Sequence, residues 1–372
     1  MSTVTLVGAF GQGNPGDEAL CAAFCDALRE HDLIVVSSDP ADTARRHRVR
    51  AVPASAVAVA RAAMTSDVVV VGGGTIFKSL HRSTGRHANS LLRNTAALVT
   101  GARLRGTKVA MVGVGADDLH GREAQLLARW LVRRCDLLVL RDEESAAVLA
   151  AAGAPMPCWI GADPAWVLAA ELGGVETFPG REPTITVALS HLAGDAGFAA
   201  RLGAALAPFA TSHTIQLQPW QLGAGGRDAE LADALREEIG PDAKVLDAPQ
   251  SLGAAVASFA GNDLVVALRF HAVVAAGMAG TRVVAAAHEP KLAGLTRRLG
   301  QVSFPTHATT EVVHAAIAHA LAHPPAARAA VASEIAAAER TFGLLRLLLT
   351  GGATDEPERI AGLPLSHGLG QW

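Results

Sequence analysis

In "DLVVALRFHAVVAAG" an apolar run ends on Arg269, and His271 follows at the start of a helical pattern. A buried strand does not normally carry arginine, because an unpaired buried charge is costly. Arg269 therefore predicts an anion, either a carboxylate of the protein or a ligand. Backbone N–H groups at a helix start favour anions too. Arginine and helix terminus together suggest a phosphate or carboxylate site. A histidine beside them can move a proton near neutral pH. The structural alternative is an Arg–Asp pair with a capping histidine. Downstream, "HEPK" supplies His288, Glu289 and Lys291. Lys291 either completes the anion site or is an exposed loop lysine.

A second group of candidates lies near the N-terminus. In "VTLVGAFGQGNPGDEAL", Gly11, Gly13 and Gly16 spell G-x-G-x-x-G between a strand-like and a helix-like run. That is the context of a dinucleotide fingerprint, and Asp39 closes the second strand where a ribose-binding acid belongs. Asp17 and Glu18 argue against it. Carboxylates in a first helical turn satisfy the dipole themselves and repel a pyrophosphate. Pro15 removes one more donor. Two other readings stay open: Asp17 caps the helix after a tight turn, or Asn14, Asp17 and Glu18 hold an uncharged, hydroxyl-bearing ligand. The run Gly72, Gly73, Gly74, Thr75 lets the backbone approach a ligand or a neighbouring helix closely.

Other polar residues have plainer readings. Asp142 caps the helix of "RDEESAAVLAAAG", while Arg141 either belongs to that end or faces a ligand. Asp163, before Pro164, is a turn residue or a site acid. His31 and His47 read as ordinary surface residues. No His/Cys/Asp spacing marks a metal site. Neither a G-x-S-x-G elbow nor a G-x-x-x-x-G-K-[ST] loop is present.

These residues need rigid elements behind them. Apolar runs of strand length alternate with Ala/Leu-rich helical stretches throughout the chain. The first half offers "VTLVGAF", "LIVVSS", "DVVVVGG", "KVAMVGVG", "DLLVLRD" and "CWIGAD"; the second offers "TITVALS", "HTIQLQP", "KVLDAP", "DLVVALRF", "RVVAAA" and "QVSF". Continuous apolar runs suit parallel strands covered on both faces. The pattern lapses over 173–183. The expected fold class is α/β, with two doubly wound Rossmann-like domains facing a cleft: residues 1–172, a linker at 173–183, residues 184–350, and a tail at 351–372. In such sheets ligands bind beyond the strands' carboxyl ends, where the candidates above collect.

Bulk properties narrow the function classes. The chain has 372 residues, and 32 basic against 35 acidic groups leave a net charge of −3, with no general attraction to nucleic acid. Apolar stretches are broken by charges such as Arg61 and Asp67, so no membrane span is expected. The start lacks a secretory signal pattern. Cys21 and Cys25, four apart on a predicted helix, are poorly placed for a bridge. Reduced thiols and a cytoplasmic location are the expectation.

The ordered set "GNPGDEAL", "VVVVGGGTIF", "LLVLRDEESAAVLAAAG", "GADPAWVL", "LRFHAVVAAGMAGTRVV" and "HEPKLAGLTRRLG" resembles the polysaccharide pyruvyl transferases over roughly residues 5–300. The family is similar in fold to the two-domain glycosyltransferases called GT-B. The resemblance implies transfer of a pyruvyl group from phosphoenolpyruvate to sugar hydroxyls of a cell-surface polysaccharide or its precursor, with release of phosphate. It implies that Arg269 binds the donor anion and that His271 is the catalytic acid. Lys291 and His191 join Arg269 on the donor side. Asn14, Asp17, Gly73, Gly74 and Thr75 are the acceptor-side candidates. Many members carry a donor-binding arginine after the first strand of the second domain; here "VALSHLAG" has Ser190 and His191. The chain has no tyrosine, and His288 stands where an aromatic is common in the family.

The resemblance implies phosphoenolpyruvate as co-substrate and no further cofactor; spacing and charge point to no metal and no nucleic-acid partner. Peripheral association with a membrane-bound, lipid-linked acceptor and a homo-oligomer stay open. So do three other functions: a GT-B glycosyltransferase using a nucleotide sugar, a catalytically silent sugar-binding protein, and a nicotinamide-dependent oxidoreductase.

Overall fold

The computed structural model describes residues 1–80, 85–154, 158–173, 182–191, 193, 197–221 and 227–352. The apolar runs form the centres of two parallel sheets. The first comprises β1 (Thr3–Val7), β2 (Asp32–Ser37), β3 (Arg50–Pro53), β4 (Val68–Gly72), β5 (Thr75–Phe77), β6 (Lys108–Ala116), β7 (Leu137–Leu140) and β8 (Trp159–Ile160). Its order is β3-β2-β1-β4-β6-β7-β8, with β5 paired to β6. Helices α1 (Pro15–Ala27), α2 (Pro40–His47), α3 (Ala56–Met64), α4 (Ser90–Arg103), α5 (Gly121–Val132) and α6 (Glu143–Ala151) connect these strands, and α7 (Ala169–Leu172) follows them.

The second sheet comprises β9 (Thr184–Ala188), β10 (Thr214–Gln218), β11 (Lys244–Val245), β12 (Leu264–Ala267), β13 (Val283–Ala287) and β14 (Val302–Pro305), in the order β11-β10-β9-β12-β13-β14. Its helices are α8 (Phe198–Leu206), α9 (Asp228–Ile239), α10 (Leu252–Phe259), α11 (Phe270–Ala279), α12 (Pro290–Arg298) and α13 (Thr310–Ala322); α14 (Arg328–Leu349) closes the described chain.

Burial explains why these runs are strands. All of β4, β7, β9 and β12 is buried, as parallel strands covered on both faces require. In register, Leu6 lies beside Val70, and Val70 beside Ala110; in the other sheet Val187 lies beside Val266, and Val266 beside Val284. Each sheet reverses its winding once, between β1 and β4 and between β9 and β12. The carboxyl ends at such reversals are where open α/β sheets bind ligands.

Contacts divide the chain into two compact units. Residues 1–12, 17–167 and 334–372 make one; residues 13–16 and 168–333 make the other. The second domain is expected to end at 350, but the chain from Glu334 onward groups with the first unit. Side chains show why. Phe342 meets Phe24 of α1 edge-on, with ring centroids 5.1 Å apart, and Lys108 Nζ donates to the Leu348 carbonyl at 3.4 Å. Most of the expected linker at 173–183, and the tail beyond Gly352, lie outside the described residues. Among the described residues, no helix is long and apolar enough to cross a membrane.

Candidate active site

The second sheet's reversal carries the sharpest cluster. Arg269 follows β12 and is the N-terminal boundary residue of α11; its side chain does not cap that helix. His271 lies in the first turn. His191 follows the neighbouring strand β9. Arg269 Nε donates to the Leu189 carbonyl at 2.7 Å, which locks the guanidinium to the end of β9.

The anion that Arg269 predicts is present in the protein. Its Nη2 donates to Asp228 Oδ2 at 2.7 Å, and Asp228 is fully buried at the start of α9. The other donors to this carboxylate come from two loops. Trp220 and Gln221 N–H groups reach Oδ2, each at 3.0 Å; the His191 N–H and its ring Nδ1 reach Oδ1, each at 2.8 Å. Burial alone would raise the Asp228 carboxyl. The adjacent Arg269 guanidinium and the bonds from His191 outweigh it and hold the carboxyl below its ordinary range.

The structural Arg–Asp reading is therefore realised, and His191 is drawn into it. Sequence reasoning missed Asp228. In "RDAELADALREEIG" it looks like any acidic residue at a helix start, and its partners lie 37 and 41 positions away.

Lys291 is neither a loop residue nor exposed. It sits in the first turn of α12 and is ion-paired with Glu289. His288 Nε2 lies 3.8 Å from the same Glu289 carboxylate. The HEPK group is thus a partly buried cluster beyond β13.

His271 touches an unexpected neighbour. Gly16 belongs by contact to the same compact unit, and a Cβ built on it would stand 2.1 Å from His271 Nδ1. Only a residue without a side chain leaves the imidazole its position.

Of the acceptor-side candidates, Asp17, Gly73, Gly74 and Thr75 belong to the first unit and Asn14 to the second. Asn14, not Asp17, makes the capping bond of α1: its Oδ1 accepts from the Gly16 N–H at 3.0 Å, the pattern of a residue just before a helix. Asp17 and Glu18 occupy the first turn, and Glu18 Oε1 accepts from the Gly11 N–H at 2.8 Å. A carboxylate thus takes a loop N–H that a pyrophosphate would need. Asp39 caps α2 by accepting from the Asp42 N–H at 3.0 Å. Both observations remove the basis of the dinucleotide reading.

Gly73 adopts φ +67°, and a Cβ there would lie 2.6 Å from Leu20 Cδ1 of α1. The triple glycine therefore serves close helix packing at this point. Thr75 is tied to Arg141, whose Nη2 donates to its Oγ1 at 2.9 Å. Arg141 is buried, with Asp142 at 3.3 Å and Asp163 at 3.5 Å. The two open readings of Arg141 and Asp163 resolve into one buried ionic group. Asp142 also caps α6 as expected, accepting from the Ser145 N–H at 2.7 Å.

Two minor readings also resolve. Cys21 and Cys25 are free and buried, with Sγ atoms 4.0 Å apart. His47 is half-buried rather than an ordinary surface residue; contact with the Cys21 thiol raises its imidazole against the effect of burial.

A sequence model of the polysaccharide pyruvyl transferase family matches residues 14–290, from Asn14 in the N-terminal glycine loop to Pro290 within HEPK. The chain belongs to the polysaccharide pyruvyl transferase family. No curated protein sequence matches it. Solved structures share its fold at low identity. Anabaena Alr3699/HepE in complex with UDP and glucose is 14% identical, with 94% of this chain and 100% of that one covered and a TM-score of 0.58. Staphylococcus aureus MnaA bound to UDP is 9% identical, covering 94% and 97%, at 0.63. The UDP-GlcNAc 2-epimerase of Neisseria meningitidis bound to UDP-GlcNAc is 10% identical, covering 94% and 100%, at 0.60. As a member of the pyruvyl transferase family, the chain carries the α/β, GT-B-like fold of two parallel sheets that these enzymes of UDP-sugars share.

Proposed function

We propose that this pyruvyl transferase uses phosphoenolpyruvate as donor and a hydroxyl pair of a cell-surface glycan precursor as acceptor, in the cytoplasm. The observation that carries the reading is the pairing of Arg269 with His271, two residues apart at the N-terminus of α11 and at the reversal of the second sheet.

The donor is an enol phosphate with a carboxylate. Protonation of its methylene carbon leaves positive character on the adjacent carbon, which a sugar hydroxyl attacks; phosphate then leaves. His271 is the proton donor in this scheme. Arg269 has Nε and Nη2 committed to the protein, while Nη1 has no partner among the described residues and can take a donor oxygen. The N-terminus of α11 adds its dipole to the same task. Lys291 acts together with Glu289, as a neutralised pair that an incoming anion can reopen. Asn14, Asp17, Gly73, Gly74 and Thr75 are the residues proposed to hold the acceptor.

The test is phosphate release on incubation with phosphoenolpyruvate and a panel of lipid-linked and nucleotide-linked sugars. Release by the unaltered protein and its loss in His271→Ala are the expected results. No release across the panel, or equal release by the variant, overturns the reading.

A second reading, a glycosyltransferase with a nucleotide-sugar donor, draws on His191 standing where many family members carry arginine and on the UDP named with the structural neighbours. Protection from thermal unfolding by UDP, and not by phosphoenolpyruvate, would favour it.

A further inference from the structure

The neighbourhood of His191 fixes its proton. Asp228 is ionised and can only accept, so the ring atom facing it, Nδ1, carries hydrogen. The same carboxylate already neutralises Arg269 on its other oxygen. One buried carboxylate cannot balance two cations, so the neutral ring with hydrogen on Nδ1 is the form that fits. Its Nε2 is then a lone-pair acceptor. A lone pair repels a donor anion, so His191 is not a replacement for a donor-binding arginine. It has instead the makeup of an oriented base: an imidazole whose far nitrogen is held by a buried carboxylate.

Position agrees with that role. His191 follows β9 and Arg269 follows β12, which are hydrogen-bonded neighbours at the sheet's reversal. Asp228, from α9, and Arg269, before α11, are the charged groups that meet there among the described residues.

We propose that His191 is the general base that takes the proton of the attacking sugar hydroxyl, with Asp228 as its positioning residue; this rests on the phosphoenolpyruvate reading above. In the addition step, the sugar oxygen forms a bond to the central donor carbon. The hydroxyl proton passes to His191 Nε2. The π electrons of the enol double bond take a proton from His271 to make the methyl group. Phosphate then leaves with the electrons of its C–O bond, the second hydroxyl closes the ketal, and its proton leaves with the phosphate. His191 returns its proton, and His271 regains one, through solvent.

The test is phosphate release from phosphoenolpyruvate and the best acceptor, measured from pH 5.5 to 9, for the unaltered protein, His191→Gln, His191→Arg and Asp228→Asn. The unaltered enzyme should lose kcat as pH falls. His191→Gln should lose about 100-fold or more in kcat, and its acid limb should vanish. His191→Arg should lose kcat as well, because guanidinium cannot take the proton. Asp228→Asn should lower kcat more than it raises KM. Its histidine ¹⁵N spectrum should show His191 leaving the Nδ1–H form.

Full kcat in His191→Gln, or a lowered KM with kcat intact in His191→Arg, overturns the proposal while the donor reading stands. No release by the unaltered protein overturns the donor reading and this proposal with it. His191 carrying its hydrogen on Nε2 in the unaltered protein also overturns the proposal, whatever the turnover.

Discussion

Arg269, 14% exposed, forms an ion pair with the fully buried Asp228 at 2.7 Å at the reversal of the second sheet. The guanidinium is fixed by two protein acceptors, the Leu189 carbonyl and the Asp228 carboxylate. Five donors converge on Asp228, so its position is set by three separate segments of chain.

Replacing Asp228 by alanine should destabilise the protein by about 3–5 kcal/mol, because it leaves the partly buried Arg269 and the N–H groups of His191, Trp220 and Gln221 without their carboxylate. Urea unfolding midpoints measure this. The folded carboxyl titrates below its ordinary value of 3.8. Its contribution to stability is therefore full above that value and is lost as pH falls through the lower, folded one. Across that acid window the unaltered protein should lose stability more steeply than the variant.

Arg141→Met should cost a similar amount, about 3–5 kcal/mol, since Asp142 and Asp163 would be left buried against each other's charge. Adding Asp163→Asn should recover part of the loss. Equal stability of Arg141→Met and the unaltered protein would show that the group is not ionic in solution.

Gly16→Ala should displace the His271 ring, because the new Cβ would fall 2.1 Å from Nδ1. Phosphate release should drop by about 100-fold, the effect of misplacing a catalytic group by an ångström. The melting temperature should change little by comparison. Full activity in this variant would remove His271 from the role of acid.

The thiols should resist alkylation near neutrality. Burial pushes Cys135 up to about 12 and Cys158 up to about 11. At pH 8, Cys158 should react with iodoacetamide about two orders of magnitude more slowly than a free cysteine and Cys135 about three, and the Cys158 rate should climb as pH approaches 11. Mass spectrometry of alkylated peptides against pH reads this directly.

The strands were legible because parallel strands buried on both faces are written as unbroken apolar runs. All twelve expected runs are strands. The two that escaped, β3 and β5, are short and lack that signature: "RAVP" carries Arg50 and Pro53 at a sheet edge, and "TIF" extends the β6 pairing for three residues. The site was legible as positions, not as partnerships. Arg269 announces an anion, but nothing local says that the anion is Asp228. Likewise Asp17 and Asn14 are both plausible caps on composition, and only the bond to the Gly16 N–H selects Asn14.

The return of α14 to the first unit makes the second unit an insertion in the chain rather than an appendix to it. A fragment ending near residue 173 would hold every strand of the first sheet yet lack Phe342 against Phe24. To isolate the first unit, residues 1–167 must be rejoined to the segment from Glu334. Proteolytic nicking between the sheets should therefore release no native N-terminal half unless the C-terminal helix stays bound to it.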